Sequence, residues 1–342
     1  MAKKIRMGQY GTKHGHAGGK LQSMKTHAEV ELAGVYEPDG ERRKALEKTD
    51  GPFAGVHWFA SEEEMLGDDS IVAIASEGLN VESLEQTQRI VEAGRHVWYD
   101  KPAGDHWALW QKVVAQARKK NLLLQMGYMF RYHDGFQKIG DWARSGLLGQ
   151  VFCLRAHMST NIPPPARQVI GQHRGGIFYD LGGHMLDQVV WILGRPEKVT
   201  AFLRNDSGVV PQFSDNTLGV FEYEKAMAWV DIAAMEPRPM ARRFEVYGSQ
   251  GSALLLEPFE PGHAIRLCLE AAAGGFKQGE QRVPIEARSR QKLYDLELES
   301  FLAAVRGEKE PDRSLDHELL VQETLLRATG GIKARGSGAR RR

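Results

Sequence analysis

The chain is expected to be an α/β protein of two parts. An N-terminal Rossmann-type domain with a doubly wound parallel sheet precedes a C-terminal α+β domain with an open, mainly antiparallel sheet. Three observations predict this. Strand and helix patterns alternate through the first third of the chain, as βαβ units require. A glycine-rich turn joins the first strand to the first helix. After Asp141 the pattern becomes a series of short strands. With 342 residues the chain has room for a core in each part. The expected division is 1–126, 127–330 and a basic tail, 331–342, read as a solvated, frayed end.

In the first part, Ile5–Gln9 reads as a strand entering a Gly/His loop, and His16–Lys25 as the helix that follows. Val30–Tyr36 is a β-rich run ending at Glu37, with a polar helix over Glu41–Lys48. Trp58 and Phe59 suggest a short strand before Ser61, an N-cap for Glu62–Leu66. Ile71–Ala75 is continuously apolar, as a strand covered on both faces should be. Val81–Ala93 has helical spacing and stops at Gly94. His96–Tyr99 is a strand ended by Pro102, Ala108–Lys120 a helix and Leu122–Met126 a strand. In the second part, Val151–His157 is a strand and Gly182–Leu193 a helix ending at Gly194. Strands follow over Val199–Arg204, Thr217–Glu222, Ala228–Ala233, Arg243–Tyr247, Ser252–Leu256 and Ile265–Leu269. Gly248 and Gly251 mark a tight turn between two of them. Leu293–Arg306 and His317–Ala328 read as helices.

The 45 Lys and Arg nearly balance the 44 Asp and Glu, so net charge points to no nucleic-acid or membrane-surface partner. Cys153 and Cys268 cannot build a disulfide framework and lack metal-ligand spacing, so a reducing compartment is expected. No apolar signal segment precedes the first strand, and no run approaches the ~18 residues of a membrane span. The expected location is the cytoplasm.

The loop reads Gly8-Gln9-Tyr10-Gly11-Thr12-Lys13-His14-Gly15-His16-Ala17. A dinucleotide fold needs small residues here, because the chain turns sharply and backbone N–H groups meet a pyrophosphate at the helix N-terminus. The G-x-G-x-x-G spacing is not kept: counted from Gly11, Lys13 and His16 take the second and third positions. Gly15 restores flexibility one residue early, and Lys13 could bring positive charge to the phosphates. Alone, the loop reads equally well as a turn without a ligand. Glu37 adds weight, since a carboxylate closing the second strand accepts hydrogen bonds from ribose hydroxyls. It would repel a 2′-phosphate, so NAD is favoured over NADP, although Arg42 and Arg43 lie close by in sequence.

The segment His96-Val97-Trp98-Tyr99-Asp100-Lys101-Pro102 resembles the Glu-Lys-Pro motif of the glucose–fructose oxidoreductase/inositol dehydrogenase (Gfo/Idh/MocA) family, with Asp100 in place of Glu. A second segment, Gly175-Gly176-Ile177-Phe178-Tyr179-Asp180-Leu181-Gly182-Gly183-His184-Met185-Leu186-Asp187, is similar to that family's glycine-rich D-x-x-x-H-x-x-D pattern. Glu92-Ala93-Gly94, Gly127–Arg131 and Gly248–Gly251 agree in order and spacing from about residue 4 to residue 330. The sequence departs from the family at Lys13, and again at Ser76-Glu77-Gly78-Leu79-Asn80. There Asn80 aligns with the asparagine of a common Pro-Asn pair, with Leu79 in the proline position.

The resemblance implies an NAD(P)-dependent oxidoreductase moving hydride between nicotinamide and a secondary alcohol of a sugar, cyclitol or related polyhydroxy compound. It implies a cofactor site drawing on Gly11, Thr12, Lys13, His14, Gly15, Glu37, Ser76, Glu77, Asn80, Asp100 and Lys101. It implies Lys101, Asp180 and His184 as the catalytic set. Asp180 and His184, four apart, share one helical face. His184 is assigned as proton acceptor, because an imidazole titrates near working pH. Lys101 would hold and polarise the reacting oxygen, and Asp180 would fix the orientation of substrate or Lys101. Lys101 and His184 could exchange roles.

Arg131 either binds substrate hydroxyls or braces the domain junction, and His157 either touches substrate or is structural. Asp187 reads as helix packing. Trp107, Trp110 and Trp142 read as core. No metal is expected: His14 and His16 lack the zinc pattern. Two other functions compete: a redox-neutral epimerase or glycosidase-type enzyme that recycles NAD in place, and a non-catalytic NAD-binding regulator. The apolar second-domain strands suggest a homodimer or homotetramer through the C-terminal sheet.

Overall fold

In a computed structural model of the protein, residues 4–255, 258–260 and 262–332 are described. Strand β1 (Ile5–Tyr10) buries Ile5, Met7 and Tyr10 and pairs in parallel with β2 (Val30–Tyr36), after the crossover helix α1 (Ala17–Thr26). Helix α2 (Gly40–Glu47) is capped by Asp39, whose side chain accepts the Arg42 N–H. Helix α3 (Glu62–Leu66) is capped by Ser61 as the sequence suggested. Strand β3 (Ala73–Ser76), helix α4 (Ser83–Glu92), strand β4 (His96–Tyr99), helix α5 (Trp107–Lys119) and strand β5 (Leu124–Met126) complete the run. The sheet order is β2-β1-β3-β4-β5, all parallel. The connection order reverses between β1 and β3. The C-terminal ends of those two strands are therefore the switch point where open α/β sheets bind ligands.

Trp58 and Phe59 do not form a strand. Two hydrogen bonds tie this stretch to Val35, a single bridge, because Ser61 begins α3 at once.

Helix α6 (Asp134–Arg144) opens the second unit, capped by the His133 ring, which accepts the Gly135 N–H. Strand β6 (Val151–His157) and helices α7 (Pro164–Ile170) and α8 (Ile177–Leu193) follow. Then come β7 (Lys198–Arg204), β8 (Asn216–Glu222), β9 (Met227–Ala233), β10 (Arg243–Gly248), β11 (Gly251–Leu255), β12 (Ala264–Leu269) and β13 (Gly279–Pro284). Their order is β13-β12-β11-β10-β6-β9-β8-β7, antiparallel except for the parallel pair β6–β9. One face of this sheet buries Ala156, Val230, Ile232, Phe221 and Phe244. Phe178 of α8 packs there on Gly219, where a Cβ would come within 2.7 Å of its ring. The other face leaves Phe202 56% and Met227 44% exposed. It also stacks Arg155 against Trp229 at 4.6 Å and Tyr247 at 4.9 Å.

The chain then returns to the first unit. Helix α9 (Arg290–Val305) packs on α1, and Gly19 makes this possible: a Cβ there would lie 2.7 Å from the Tyr294 ring. Helix α10 (Leu315–Thr329) closes the described chain. The first unit thus runs to Tyr132 and takes in Ser289–Leu319; the second comprises His133–Arg288 and the chain from Leu320. A division by sequence order at residue 126 does not anticipate this return. The fold is α/β, a Rossmann-like parallel sheet plus a mainly antiparallel one. Among the described residues no helix is long and apolar enough to cross a membrane. Leu256 and the tail from Lys333 lie outside the described residues.

Candidate active site

The glycine loop leaves β1 through Gly11, at φ +83°, a conformation that favours glycine. A Cβ there would sit 2.8 Å from the Gly78 nitrogen, so only a glycine lets the loops after β1 and β3 touch. The loop is tied on both sides. Gly11 N donates to Tyr36 O at 2.7 Å and His14 N to Glu77 O at 3.0 Å. Glu37, 3% exposed, closes β2 as expected. Its Oε2 accepts the Thr12 hydroxyl at 2.6 Å and its Oε1 the Asp39 N–H at 3.0 Å. Arg42 donates to the Thr12 hydroxyl and carbonyl oxygens, both at 2.7 Å. Gly15 is exposed, with open space where a side chain would stand. A tight turn, a bare glycine and a fixed carboxylate suit a dinucleotide. Lys13 is already engaged, 3.2 Å from Glu82 and 3.5 Å from Asp39. Ser76 turns toward α4, its hydroxyl 2.9 Å from that of Thr87, and Asn80 is half-buried in the turn before α4.

Behind the loop lies a buried charge cluster. Asp100 follows β4, and its Oδ1 accepts the Lys101 N–H at 2.8 Å. Its Oδ2 lies 3.0 Å from His16 Nδ1, 3.3 Å from His14 Nδ1 and 3.2 Å from Lys20 Nζ. Lys20 is fully buried on α1, with its ammonium 4.4 Å over the Trp98 ring and 3.1 Å from Glu77 Oε1. Glu77 Oε2 faces His14 Nδ1 at 3.7 Å.

Burial opposes ionisation of Asp100, but His14, His16 and Lys20 together hold its carboxyl well below the usual range. Burial lifts Glu77 well above its ordinary value, and Lys20 only partly offsets this. Burial also drives His16 down to about 4, against the pull of Asp100. Glu297 on α9 joins the cluster; burial raises it to about 7 while Lys20 and Arg313 draw it down. Among the described residues, His14, His16 and Asp100 are the one group spaced closely enough to hold a metal. Lys20 already sets an ammonium against the same Asp100 oxygen.

Lys101 is 3% exposed and precedes Pro102 through a cis peptide bond. Arg131 lies on the short turn Met129–Tyr132, with a guanidinium nitrogen 3.2 Å from His317 Nε2 in the same unit. In the second unit α8 begins earlier than expected. Gly175 and Gly176, at φ +92° and +50°, turn the chain into Ile177, which puts Asp180 in the first helical turn. His184 follows one turn later, 2% exposed, while Asp180 is half-buried. Asp187 is buried and accepts the Gln188 amide at 2.9 Å. His157 has both ring nitrogens engaged: Nδ1 with Asp231, and Nε2 with Glu236 Oε2 at 3.0 Å. The Asp231 hydrogen bond, and then Glu236, raise its pKa against the effect of burial. The Pro-rich stretch 161–167 leads into α7. Its Arg167 is buried, donating to Ile162 O and Ala234 O, each at 3.0 Å.

Residues 136–254 match the model of the GFO/IDH/MocA C-terminal domain, and residues 6–128 that of an oxidoreductase family with an NAD-binding Rossmann fold. The chain belongs to the Gfo/Idh/MocA family. Its N-terminal unit carries that family's NAD-binding Rossmann domain. Among Gfo/Idh/MocA relatives, a 1,5-anhydro-D-fructose reductase of Ensifer adhaerens is 22% identical over 82% of each chain. A myo-inositol 2-dehydrogenase of Thermotoga maritima is 24% identical over 56% of this chain and 59% of its own. Several other curated relatives are matched over only about half their length, 48% to 57%. The fold superposes on the WlbA dehydrogenase of Bordetella pertussis, solved with NADH and UDP-GlcNAcA. The TM-score is 0.79, with 18% identity over 96% of this chain and 95% of that one.

Sequence reasoning passed over Lys20 and Glu297. Both carried a signal. Lys20 lies one turn after His16 on the α1 face that buries Ala17, Leu21 and Met24. Glu297 stands among Leu293, Leu298 and Phe301, where an apolar residue would ordinarily be.

Proposed function

We propose that the protein is an NAD-dependent dehydrogenase acting on a secondary alcohol of a sugar, cyclitol or related polyhydroxy compound. One observation carries this reading. Lys101 is buried at the C-terminal end of β4, beside the β1/β3 switch point, in a unit that also fixes Glu37 and the Gly11 turn. Bound NAD supplies a hydride acceptor. The chain's own part is to hold the substrate and take its proton. Lys101 holds and polarises the reacting oxygen, His184 accepts the hydroxyl proton, and Asp180 orients substrate or lysine. Lys101 and His184 can exchange those roles. Glu37 favours NAD, since its buried carboxylate leaves no room for a 2′-phosphate charge. Arg131 and His157 act as braces, because His317 and the Asp231/Glu236 pair already engage them.

The open face around Phe202 and Met227 is proposed as the surface through which the chain forms a homodimer or homotetramer. Cys153 and Cys268 are both free thiols, in keeping with a cytoplasmic enzyme.

Calorimetric titration of NAD(H) and NADP(H), with the Glu37→Ala variant alongside, tests the cofactor assignment. A screen of sugars and cyclitols for reduced-nicotinamide absorbance tests the reaction. Nucleotide that stays bound through purification with no net redox change would favour the redox-neutral alternative. Folded protein that binds neither nucleotide would end the dehydrogenase reading.

A further inference from the structure

We infer that the Lys20–Glu77–Asp100–Glu297 cluster exchanges a proton with solvent in step with the charge of the nicotinamide, so that reduced cofactor is held with one more proton than oxidised cofactor. The inference rests on the dehydrogenase reading and adds to it a thermodynamic role for groups that proton transfer to substrate does not use.

The first support is a charge count. Glu77 and Glu297 are fully buried and Asp100 is 3% exposed, against one fully buried ammonium, Lys20. Three ionised carboxylates around one lysine would leave two negative charges uncompensated away from water. Such a set relieves itself by keeping protons. Its other neighbours do not restore balance. Arg313 is paired with Glu318 at 2.9 Å. The phenol of Tyr294 is neutral, its pKa raised by burial. The His14 and His16 rings stand beside Asp100, and the Lys101 backbone N–H donates to it. Asp100, ringed by nitrogens, is the carboxylate that stays ionised. Glu77 and Glu297 are the ones that hold the proton, and Glu297 at about 7 is poised to give it up under ordinary conditions.

The second support is position. His14 and His16 follow β1, Glu77 follows β3 and Asp100 follows β4. The cluster therefore sits at the carboxyl ends of the strands that flank the switch point, where a doubly wound sheet places its ligand. A unit positive charge arriving at such a site changes a neighbouring carboxylate's proton affinity by roughly tenfold or more. An oxidised nicotinamide ring carries that charge and a reduced one does not. In alcohol oxidation the carbinol hydrogen leaves with its electron pair to the ring, and the hydroxyl proton passes to the general base. As the ring's charge is lost, the cluster takes up a proton from solvent. The enzyme-bound step then releases less than one proton to solvent, and the remainder leaves when the cofactor does.

The test is calorimetry of NAD⁺ and NADH binding near pH 7 in two buffers of different ionisation enthalpy, which counts protons taken up with each. NADH is expected to bring in more protons than NAD⁺. The ratio Kd(NADH)/Kd(NAD⁺) should then rise with pH, by up to about tenfold per unit if a full proton separates the two forms. Glu297→Gln, checked for an unchanged thermal transition, should shrink the difference while both nucleotides still bind. Equal proton counts for the two forms in the wild type would overturn the coupling. So would a difference that Glu297→Gln leaves unchanged. Absence of binding of either form to folded protein would instead remove the dehydrogenase reading, and the coupling with it.

Discussion

Gly11 meets Gly78 backbone to backbone: a Cβ on the first would stand 2.8 Å from the nitrogen and 2.9 Å from the Cα of the second. Neither neighbour is a flexible side chain that could move away. Gly11 also sits at φ +83°. Gly11→Ala is therefore expected to cost about 1–3 kcal/mol from the backbone alone and to shift the loops after β1 and β3. A lowered melting temperature together with loss of NAD binding is the expected result. Unchanged binding would show that these loops do not cradle the nucleotide.

Glu37 is held by Thr12 and by the Asp39 N–H, so it reaches a ligand already oriented. Hydrogen bonds to a charged acceptor contribute about 1.5–3 kcal/mol. Glu37→Ala should accordingly weaken NAD binding by roughly 10- to 100-fold while narrowing the preference over NADP. Titration of both nucleotides against wild type and variant decides it. An NADP affinity that falls in parallel would mean the carboxylate does not set the preference.

Lys101→Ala and His184→Ala separate chemistry from binding. Loss of a positioned proton-transfer group costs about 10²- to 10⁴-fold in rate. The His184→Ala enzyme should lose kcat by that order while NAD affinity stays near wild type. Measured as turnover and as Kd on the same preparation, a variant with normal kcat would exclude His184 as the proton acceptor.

His157 gives the second unit a pH dependence. Its folded pKa is raised above the ordinary ~6.5 by Asp231 and Glu236. Stability from that interaction is complete below the unfolded pKa and is lost as pH rises through the folded one. The melting-temperature gap between wild type and His157→Gln should therefore be widest near pH ~6 and close at higher pH. A gap that widens on raising the pH would contradict the assignment.

The exposed Phe202 and Met227 give a direct check on assembly. Phe202→Glu should shift the protein toward monomer in analytical ultracentrifugation if that face is the contact. Wild type already monomeric at micromolar concentration would leave the surface without that role.

Much of this was legible in the sequence for identifiable reasons. Val30–Tyr36, His96–Tyr99 and Val151–His157 stand where their apolar β-branched patterns put them, because tertiary burial and local preference agree there. Strand β13 was not legible: Gly279–Pro284 alternates half-buried with exposed positions at the sheet's edge and has almost no apolar residue to announce it. Helix α7 was hidden by its prolines, although Pro164 stands in the first turn, where proline is tolerated. Helix α6 could have been read from Phe136, Ile139 and Ala143, three buried residues at helical spacing. Of the site, Glu37 could be found because one residue at one strand end carries the signal. The Lys20–Glu297 association could not, because it depends on α9 coming back to α1 from far along the chain.

That return has a consequence for how the protein is made. In this chain the whole second unit up to Arg288 is synthesised between β5 and α9, the helix that packs on α1 and contributes Glu297. Until then Lys20 must wait in a half-built interior, with its helix lacking a neighbour. The nascent nucleotide-binding unit is thus exposed to chaperones and proteases while the second unit is being made. A fragment cut after β5 would carry that vulnerability permanently.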